Sequence, residues 1–161
     1  MIEIKDKKDC AGCTACTEIC PKKCIQMKPD EEGFLYPVVD KNRCVECNAC
    51  NMVCQIQNPI TEEEKPQKAY LVQHCDEKVR LDSSAGGAFT AIATVVLQKG
   101  GVVFGAAYDE NFHVQHTYIE AVDELKKFRN SKYVQSELGD AFCLVKSFLQ
   151  KGRWVCYSGT P

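Results

Sequence analysis

The chain has no long apolar run, little net charge and only three histidines. Its longest apolar stretch, at 88–97, is about ten residues and is too short to cross a hydrocarbon layer of about 30 Å. The formal net charge of -2 gives none of the basic excess that nucleic-acid-binding proteins carry. The first nine residues are mostly charged and contain no apolar signal region. These absences predict a cytoplasmic protein with no membrane span and no nucleic-acid partner.

Cysteine, by contrast, is abundant: there are twelve, and ten of them precede residue 76. Eight of these form two copies of the pattern C-x2-C-x2-C-x3-C. The first copy is followed by proline and the second by glutamine. This spacing is typical of a run that holds a 4Fe-4S cluster. The motif cysteines are Cys10, Cys13, Cys16 and Cys20, then Cys44, Cys47, Cys50 and Cys54.

In two-cluster proteins the fourth cysteine of each run binds the other cluster. Three cysteines at two-residue gaps can bind three corners of a cube from one tight loop, whereas the fourth points the other way. The spacing therefore predicts two 4Fe-4S clusters and a protein that moves single electrons. The predicted ligand sets are Cys10, Cys13, Cys16 and Cys54 for one cluster, and Cys44, Cys47, Cys50 and Cys20 for the other.

Zinc and disulfides are the other uses of closely spaced cysteines. Structural zinc sites usually pair one C-x2-C with a distant second pair or with histidines, whereas each motif here has four cysteines and no nearby histidine. Disulfide scaffolds belong mostly to small secreted proteins, and nothing at this N-terminus indicates export. Zinc is the alternative that stays open.

The cysteines outside the motifs receive structural interpretations. Cys24 follows the first motif and is interpreted as a small apolar residue that packs a strand. The alternative is that it lies beside a cluster or acts as an alternative ligand. Cys75, Cys143 and Cys156 fall within strand or helix patterns and are predicted to be core residues. The three histidines form no metal-binding pattern and receive no role.

The pattern of the chain predicts an α+β protein in two parts. We expect residues 1–58 to form a small ferredoxin-type domain with strands at 2–5, 25–28 and 34–39. Much of the folding free energy of this domain must come from metal binding. Residues 59–68 predict a linker. Residues 69–161 predict the first part of an α/β domain. Its predicted strands are 69–75, 102–108, 114–119 and 154–157, and its predicted helices are 86–99, 123–129 and 137–150.

The two cysteine loops differ at the positions between their cysteines. The first contains Gly12, whose missing Cβ leaves room for a cluster. The second has Glu46 and Asn48 at comparable positions. Because asparagine tolerates a left-handed backbone better than most residues, we expect the second loop to form as well.

Further motifs follow the cysteine repeat in order along the chain. They are RLDSSAGG at 80–87, KGGVVFGA at 99–106, SKYVQS at 131–136 and SGTP at 158–161. Together they make the chain resemble the coenzyme F-420 hydrogenase/dehydrogenase beta-subunit family over essentially its whole length. The resemblance implies an iron-sulfur flavoprotein that passes electrons between clusters, a bound FAD and a partner such as a reduced deazaflavin. Members of that family usually run well past the Gly-Thr-Pro, so we expect this chain to be the front of a longer protein.

A phosphate site is predicted at 83–87, directly before an apolar helix. A serine can cap the helix there while its exposed amides and positive end face an anion, although an ordinary helix cap is the alternative. The resemblance implies that the anion is the FAD diphosphate. The SGTP turn follows the carboxyl end of a strand, where open α/β sheets tend to bind ligands. The predicted cofactor-binding residues are Ser84, Gly86, Gly87, Lys132, Gly159 and Thr160, of which Lys132 is chosen through the resemblance alone.

The sequence thus predicts an iron-sulfur flavoprotein oxidoreductase, or the N-terminal fragment of one. It would pass electrons between two 4Fe-4S clusters, FAD and a deazaflavin-like or other redox partner. The alternative is a non-catalytic ferredoxin-type electron-transfer subunit that docks on a catalytic partner. Flavin content distinguishes the two, and no catalytic residue is assigned.

Overall fold

The computed structural model describes residues 1–59 and 68–159. The chain divides into two compact units, Met1–Gln67 and Lys68–Pro161. Most of the predicted linker at 59–68 lies outside the described residues, and so does Thr160. None of the described helices has the length and apolar character needed to cross a membrane.

The described residues of the first unit form a β-hairpin and two short helices. Strand β1 (Ile25–Pro29) pairs with strand β2 (Leu35–Val39) in antiparallel register. Helices α1 (Ala15–Ile19) and α2 (Ala49–Met52) each contain the third cysteine of one motif, and they pack against each other. A 3-10 turn, Lys7–Asp9, precedes the first cysteine. The hairpin confirms the predicted strands at 25–28 and 34–39.

Most of the buried core residues of the first unit are cysteines. Its buried residues are Ile2, Cys16, Cys20, Cys24, Ile25 and Cys50. The strand predicted at 2–5 does not form, because Ile2 is drawn into this core, where its N–H donates to Cys50 Sγ at 3.1 Å. With so few aliphatic side chains, the unit has little apolar surface to bury on folding.

The second unit has a three-stranded sheet with helices on both faces. Strand β3 (Val102–Tyr108) lies in the centre, antiparallel to β4 (Val114–Ile119) and parallel to β5 (Val155–Tyr157). Helix α4 (Ala88–Gln98) covers the face that carries Val103, and helix α5 (Ala141–Gln150) covers the face that carries Val102 and Phe104. Because side chains alternate along a strand, β3 supplies the cores of both faces.

The remaining predicted elements shift for local reasons. Helix α4 begins after Gly87, which has a left-handed φ of 79°. Helix α5 begins later than residue 137, because Glu137 instead bonds to the edge of β4 through Val114 and His116. The segment predicted as helix 123–129 is a 3-10 helix, Val122–Phe128. A further short helix, α3 (Glu77–Leu81), was not predicted.

The strand predicted at 69–75 is wrong. Residues 68–75 form no strand, and the side chains of Tyr70, Leu71 and Val72 are exposed. The segment instead packs its backbone against the turn before α4, where His74 N–H donates to the carbonyl oxygen of Gly86. An apolar, β-branched run identifies residues that can pair but not the presence of a partner strand.

Candidate metal centres

The two cysteine loops follow the same backbone path. In the first loop Gly12 and Thr14 have φ of 62° and 58°, and in the second loop Glu46 and Asn48 have φ of 52° and 63°. Each loop therefore makes the same left-handed turn before its short helix. The expectation that the second loop forms with a left-handed Asn48 is confirmed. Glu46 holds a conformation that disfavours an L-residue by about 1–2 kcal/mol.

A first cavity lies between the first loop and the end of the second motif. It has about 420 Å³ of space, including solvent at its mouth. Thr14 lines this cavity, and its Oγ1 is buried without a hydrogen-bond partner among the described residues. Such an orphaned hydroxyl is suited to donate to a bound group. The cysteines lining the first cavity are Cys10, Cys13, Cys16 and Cys54.

A second cavity lies between the second loop and the end of the first motif. It has about 340 Å³ of space, again including solvent at its mouth. Its walls include the apolar side chains of Ile25 and Val39. The cysteines lining the second cavity are Cys20, Cys24, Cys44, Cys47 and Cys50. The structure thus brings together the four members of each predicted ligand set.

The four cysteines of each predicted set line one cavity. In the part of the chain that the structure describes, no three Cys, His, Asp or Glu side chains are placed to share one metal ion. The ligands of a zinc ion all lie about 2.3 Å from a single centre. In a 4Fe-4S cluster each thiolate binds a different corner, so the sulfur atoms stand apart. Four thiols that line one cavity fit the four-cysteine ligand set of a 4Fe-4S cluster.

Hydrogen bonds to sulfur are already formed in the second cavity. Ile2 N–H donates to Cys50 Sγ at 3.1 Å, and Glu46 N–H donates to Cys44 Sγ at 3.4 Å. Donors of this kind stabilise negative charge on a thiolate and so help to set the reduction potential of a cluster. Cys24 also borders a predicted ligand, because its Sγ lies 3.4 Å from Cys20 Sγ.

The environment of each thiol shifts its pKa. Burial, with the nearby Cys13 sulfur, raises the pKa of Cys16 to about 11. Burial, with the neighbouring Cys20 and Cys44, likewise raises the pKa of Cys24 to about 11. Burial also opposes ionisation of Cys20, but hydrogen bonds led by the Cys24 backbone N–H outweigh it, so the pKa of Cys20 is lowered. Metal binding must therefore displace protons from Cys16, whereas Cys20 becomes a thiolate more readily.

The predicted phosphate turn in the second unit is held by its own contacts. Ser83 Oγ donates to the carbonyl oxygen of Val79 at 2.6 Å, and Ser84 Oγ donates to Asn130 Oδ1 at 2.7 Å. The prediction that a serine caps α4 is therefore wrong: the N-cap is Gly87, with no side-chain cap. Among the described residues, no side chain caps this end of α4.

Both glycines of the turn have a packing reason to be glycine. A Cβ on Gly86 would lie 2.3 Å from the carbonyl oxygen of Val72. A Cβ on Gly87 would lie 3.1 Å from His74 Cβ, at a φ that already favours glycine. Tight packing against residues 72–74 thus accounts for these glycines, and their part in binding a flavin stays a prediction.

Lys132 stabilises the loop that precedes it by donating hydrogen bonds to backbone carbonyl groups. Its Nζ donates to the carbonyl oxygens of Lys127, Arg129 and Asn130 at 3.1, 2.9 and 3.2 Å, and burial lowers its pKa. These three bonds use all three donors of the ammonium group. Lys132 and Ser84 meet at Asn130, so the structure brings these two predicted residues together. The role of Lys132 as a cofactor contact stays a prediction.

Gly159 lies beside a histidine that sequence reasoning left without a role. His116 Nδ1 is 2.6 Å from Ser136 Oγ, and its Nε2 is 2.9 Å from the carbonyl oxygen of Ser158. Because a carbonyl oxygen only accepts, Nε2 donates to it, and in the neutral ring Nδ1 then accepts from the Ser136 hydroxyl. The ring also stacks on Tyr157, with centroids 5.1 Å apart. Nothing in the sequence reveals this network, because it joins three separate segments.

The prediction that Cys75, Cys143 and Cys156 are core residues is mostly wrong. Cys75 and Cys143 are exposed, and Cys156 is only half-buried. Cys75 lies where the predicted strand does not form, and Cys143 lies on the outer face of α5. Cys24 is buried directly before β1, which agrees with its interpretation as a small apolar residue that packs that strand.

Comparison with protein families identifies the first unit. No curated protein matches the chain. Residues 9–58 match the family of the 4Fe-4S dicluster domain, a range that contains all eight motif cysteines. The first unit of this chain therefore contains a 4Fe-4S dicluster ferredoxin domain, which is an iron-sulfur electron-transfer domain.

Proposed function

We propose that the chain transfers single electrons through two 4Fe-4S clusters with crossed ligands. Cluster 1 occupies the first cavity and cluster 2 the second. The observation that carries the proposal is the lining of the cavities: each holds three cysteines of one motif and the fourth cysteine of the other. The ligands are Cys10, Cys13, Cys16 and Cys54 for cluster 1, and Cys44, Cys47, Cys50 and Cys20 for cluster 2.

When bound, the clusters supply one-electron chemistry at potentials that the surrounding protein sets. The chain's own residues hold the thiolates and shape the two cavities. Ile2 and Ile4 line the first cavity and limit its contact with water, and the N–H groups of Ile2 and Glu46 donate to thiolates of the second. Because each cluster takes three ligands from one motif and the fourth from the other, the stability of each cluster depends on both motifs.

The crossed assignment is tested by matching spectra between variants. Cys13→Ala and Cys47→Ala each remove a ligand whose cluster is not in dispute, and they give reference electron paramagnetic resonance spectra of the reduced protein. Cys54→Ala is expected to leave the spectrum seen in Cys13→Ala, because both damage cluster 1. A spectrum that matches Cys47→Ala instead would refute crossed ligation.

We further propose that the second unit binds FAD and that the whole protein is an oxidoreductase of the F-420 hydrogenase/dehydrogenase beta-subunit type. Support comes from the resemblance of the motifs and from the N-terminus of α4, where Gly87 leaves the first amides without a side-chain cap. Electrons would then pass between the clusters, FAD and a deazaflavin-like or other redox partner. The proposed contacts are Ser84, Gly86, Gly87, Lys132, Gly159 and Thr160.

Flavin binding is tested by charge, because bulky replacements at Gly86 or Gly87 would collide with residues 72–74 whatever the ligand. Ser84→Asp places a negative charge beside the proposed diphosphate and is expected to prevent quenching of added FAD fluorescence. Asn111→Asp adds the same charge to an exposed hairpin and is expected to leave quenching intact. If the unaltered chain neither contains nor binds FAD, the carrier alternative is favoured.

A further inference from the structure

We propose that the hydroxyl group of Thr14 donates a hydrogen bond to a sulfur atom of cluster 1 and thereby raises the reduction potential of that cluster. The inference rests on the proposed function, which places cluster 1 in the first cavity. Thr14 lies between the second and third cysteines of the first motif and lines this cavity. Its Oγ1 is buried and has no hydrogen-bond partner among the described residues. A buried hydroxyl without a partner is unfavourable, and donation to a bound group removes that penalty.

The local backbone keeps the Thr14 hydroxyl away from helix α1. Threonine at an N-cap normally has an extended backbone, and its side-chain oxygen then accepts from an N–H of the first turn. Thr14 is the N-cap of α1 but has φ of 58° and ψ of -1°, and its side chain makes no cap hydrogen bond. Its carbonyl oxygen instead accepts from the N–H groups of Thr17 and Glu18, at 2.9 and 3.1 Å. The left-handed turn of the cysteine loop therefore leaves the hydroxyl available to a bound group.

Apolar side chains and cysteines make up most of the wall of the first cavity. Among the described residues, the other polar side chains that line it are Asp9, Thr14 and Gln55. Asp9 and Gln55 are exposed, so water competes for their polar atoms. A carboxylate also has no proton to donate. Thr14 is therefore the polar residue of this wall whose side chain can donate to a cluster without competition from water.

The second motif provides an internal comparison. Asn48 takes the place of Thr14 in the second loop and has nearly the same φ, 63° against 58°. Asn48 is exposed, however, and its Oδ1 accepts from Asn51 Nδ2 at 2.5 Å. The second loop thus has no buried hydroxyl at this position. We expect the effect of this position on the reduction potential to be confined to cluster 1.

A hydrogen bond to cluster sulfur favours the reduced state. One added electron makes the cluster more negative, so the hydrogen bond to its sulfur is stronger after reduction than before. The difference is larger where water is excluded, because the effective dielectric constant is low there. Removal of the Thr14 hydroxyl is therefore expected to lower the reduction potential of cluster 1.

The test measures both cluster potentials in one sample. A redox titration followed by electron paramagnetic resonance compares the unaltered chain with Thr14→Val and Thr14→Ser, and the reference spectra of Cys13→Ala and Cys47→Ala assign the signals. Valine keeps the shape of threonine without the hydroxyl, whereas serine keeps the hydroxyl. Thr14→Val is expected to lower the potential of cluster 1 and to leave that of cluster 2 unchanged. Thr14→Ser is expected to keep the unaltered potential of cluster 1.

A second measurement detects the hydrogen bond itself. The threonine hydroxyl proton exchanges with solvent, so electron-nuclear double resonance of reduced cluster 1 should show a proton coupling that disappears in D2O. This coupling is expected in the unaltered chain and in Thr14→Ser but not in Thr14→Val. Exchangeable backbone amide protons are common to all three proteins, so the difference between their spectra reports the hydroxyl. A packing role for Thr14 would not produce that difference.

Three results would overturn the inference alone. The first is a potential or a proton coupling of cluster 1 that is unchanged in Thr14→Val, and the second is a potential lowered equally in Thr14→Ser. If Thr14→Val does not hold cluster 1, Thr14→Ala is read in its place. The third result is loss of cluster 1 from both, which would show that Thr14 is needed for assembly. In all three cases the unaltered chain still holds two clusters, so the proposed electron-transfer function stands.

Iron and acid-labile sulfide counted in the unaltered chain separate failure of the inference from failure of the proposed function. About eight irons per chain are expected for two clusters. If the unaltered chain holds fewer than two clusters, the proposed function fails and the inference fails with it.

Discussion

Removing the iron is expected to unfold the first unit and to leave the second unit folded. In the first unit the buried aliphatic side chains are Ile2 and Ile25, the rest of the core being cysteine. Burying an aliphatic side chain stabilises a fold by about 1.5–3 kcal/mol, so this pair contributes about 3–6 kcal/mol. A two-stranded hairpin is at best marginally stable in water. Metal ligation must therefore supply most of the remaining stability.

The second unit has a different balance. Its largest fully buried side chains are Phe104, Ile119, Leu125, Val102 and Val103. At the same about 1.5–3 kcal/mol each, they contribute about 8–15 kcal/mol before any partly buried residue is counted. No metal ligand proposed for either cluster lies in this unit. Its stability is therefore expected to be independent of iron.

Hydrogen exchange read by mass spectrometry measures both units in one sample. After anaerobic treatment with an iron chelator, the amides of β1 and β2 are expected to exchange within about tenfold of the unfolded rate, which corresponds to an opening free energy below about 1.4 kcal/mol. The amides of β3 are expected to keep their protection. Protection of β1 and β2 that is the same with and without iron would show that packing alone folds the first unit.

Three further predictions concern single positions. Glu46→Gly removes a left-handed glutamate and is expected to stabilise cluster 2 by about 1 kcal/mol, seen as slower bleaching in air; faster bleaching would contradict the strain argument. Asp109 has a pKa held below its ordinary value chiefly by the backbone N–H of His113. The stability lost in Asp109→Ala should therefore be present above the ordinary aspartate pKa and vanish as the pH falls through the lowered pKa, which urea unfolding followed by Trp154 fluorescence can measure. A difference that does not change with pH would refute this assignment. Phe104→Ala is expected to destabilise the second unit by about 3–5 kcal/mol while the iron content stays constant, and a loss of iron would show that the second unit supports the clusters.

Local pattern was enough to predict several elements with their bounds. Strands β3 and β4 run as predicted over Val102–Tyr108 and Val114–Ile119, because short runs rich in apolar, β-branched and aromatic residues between turns favour a strand. The cysteine spacing likewise predicted which side chains would line each cavity. In both cases the information lies within a few neighbouring residues.

Contacts between distant segments were beyond the sequence. The run at 69–75 has the composition of a strand, yet Leu71 is fully exposed since no strand pairs with it. The His116 network depends on three segments meeting. The approach of Cys24 to Cys20 depends on the left-handed backbone of Lys23, a conformation that lysine rarely adopts. Tertiary structure decides each of these.

The claim that two 4Fe-4S clusters occupy the two cysteine-lined cavities is tested most directly by elemental analysis. Iron, acid-labile sulfide and zinc should be measured per chain after purification without oxygen. About eight irons and about eight sulfides, with no stoichiometric zinc, are expected. Half that iron content, or zinc in place of iron, would contradict it.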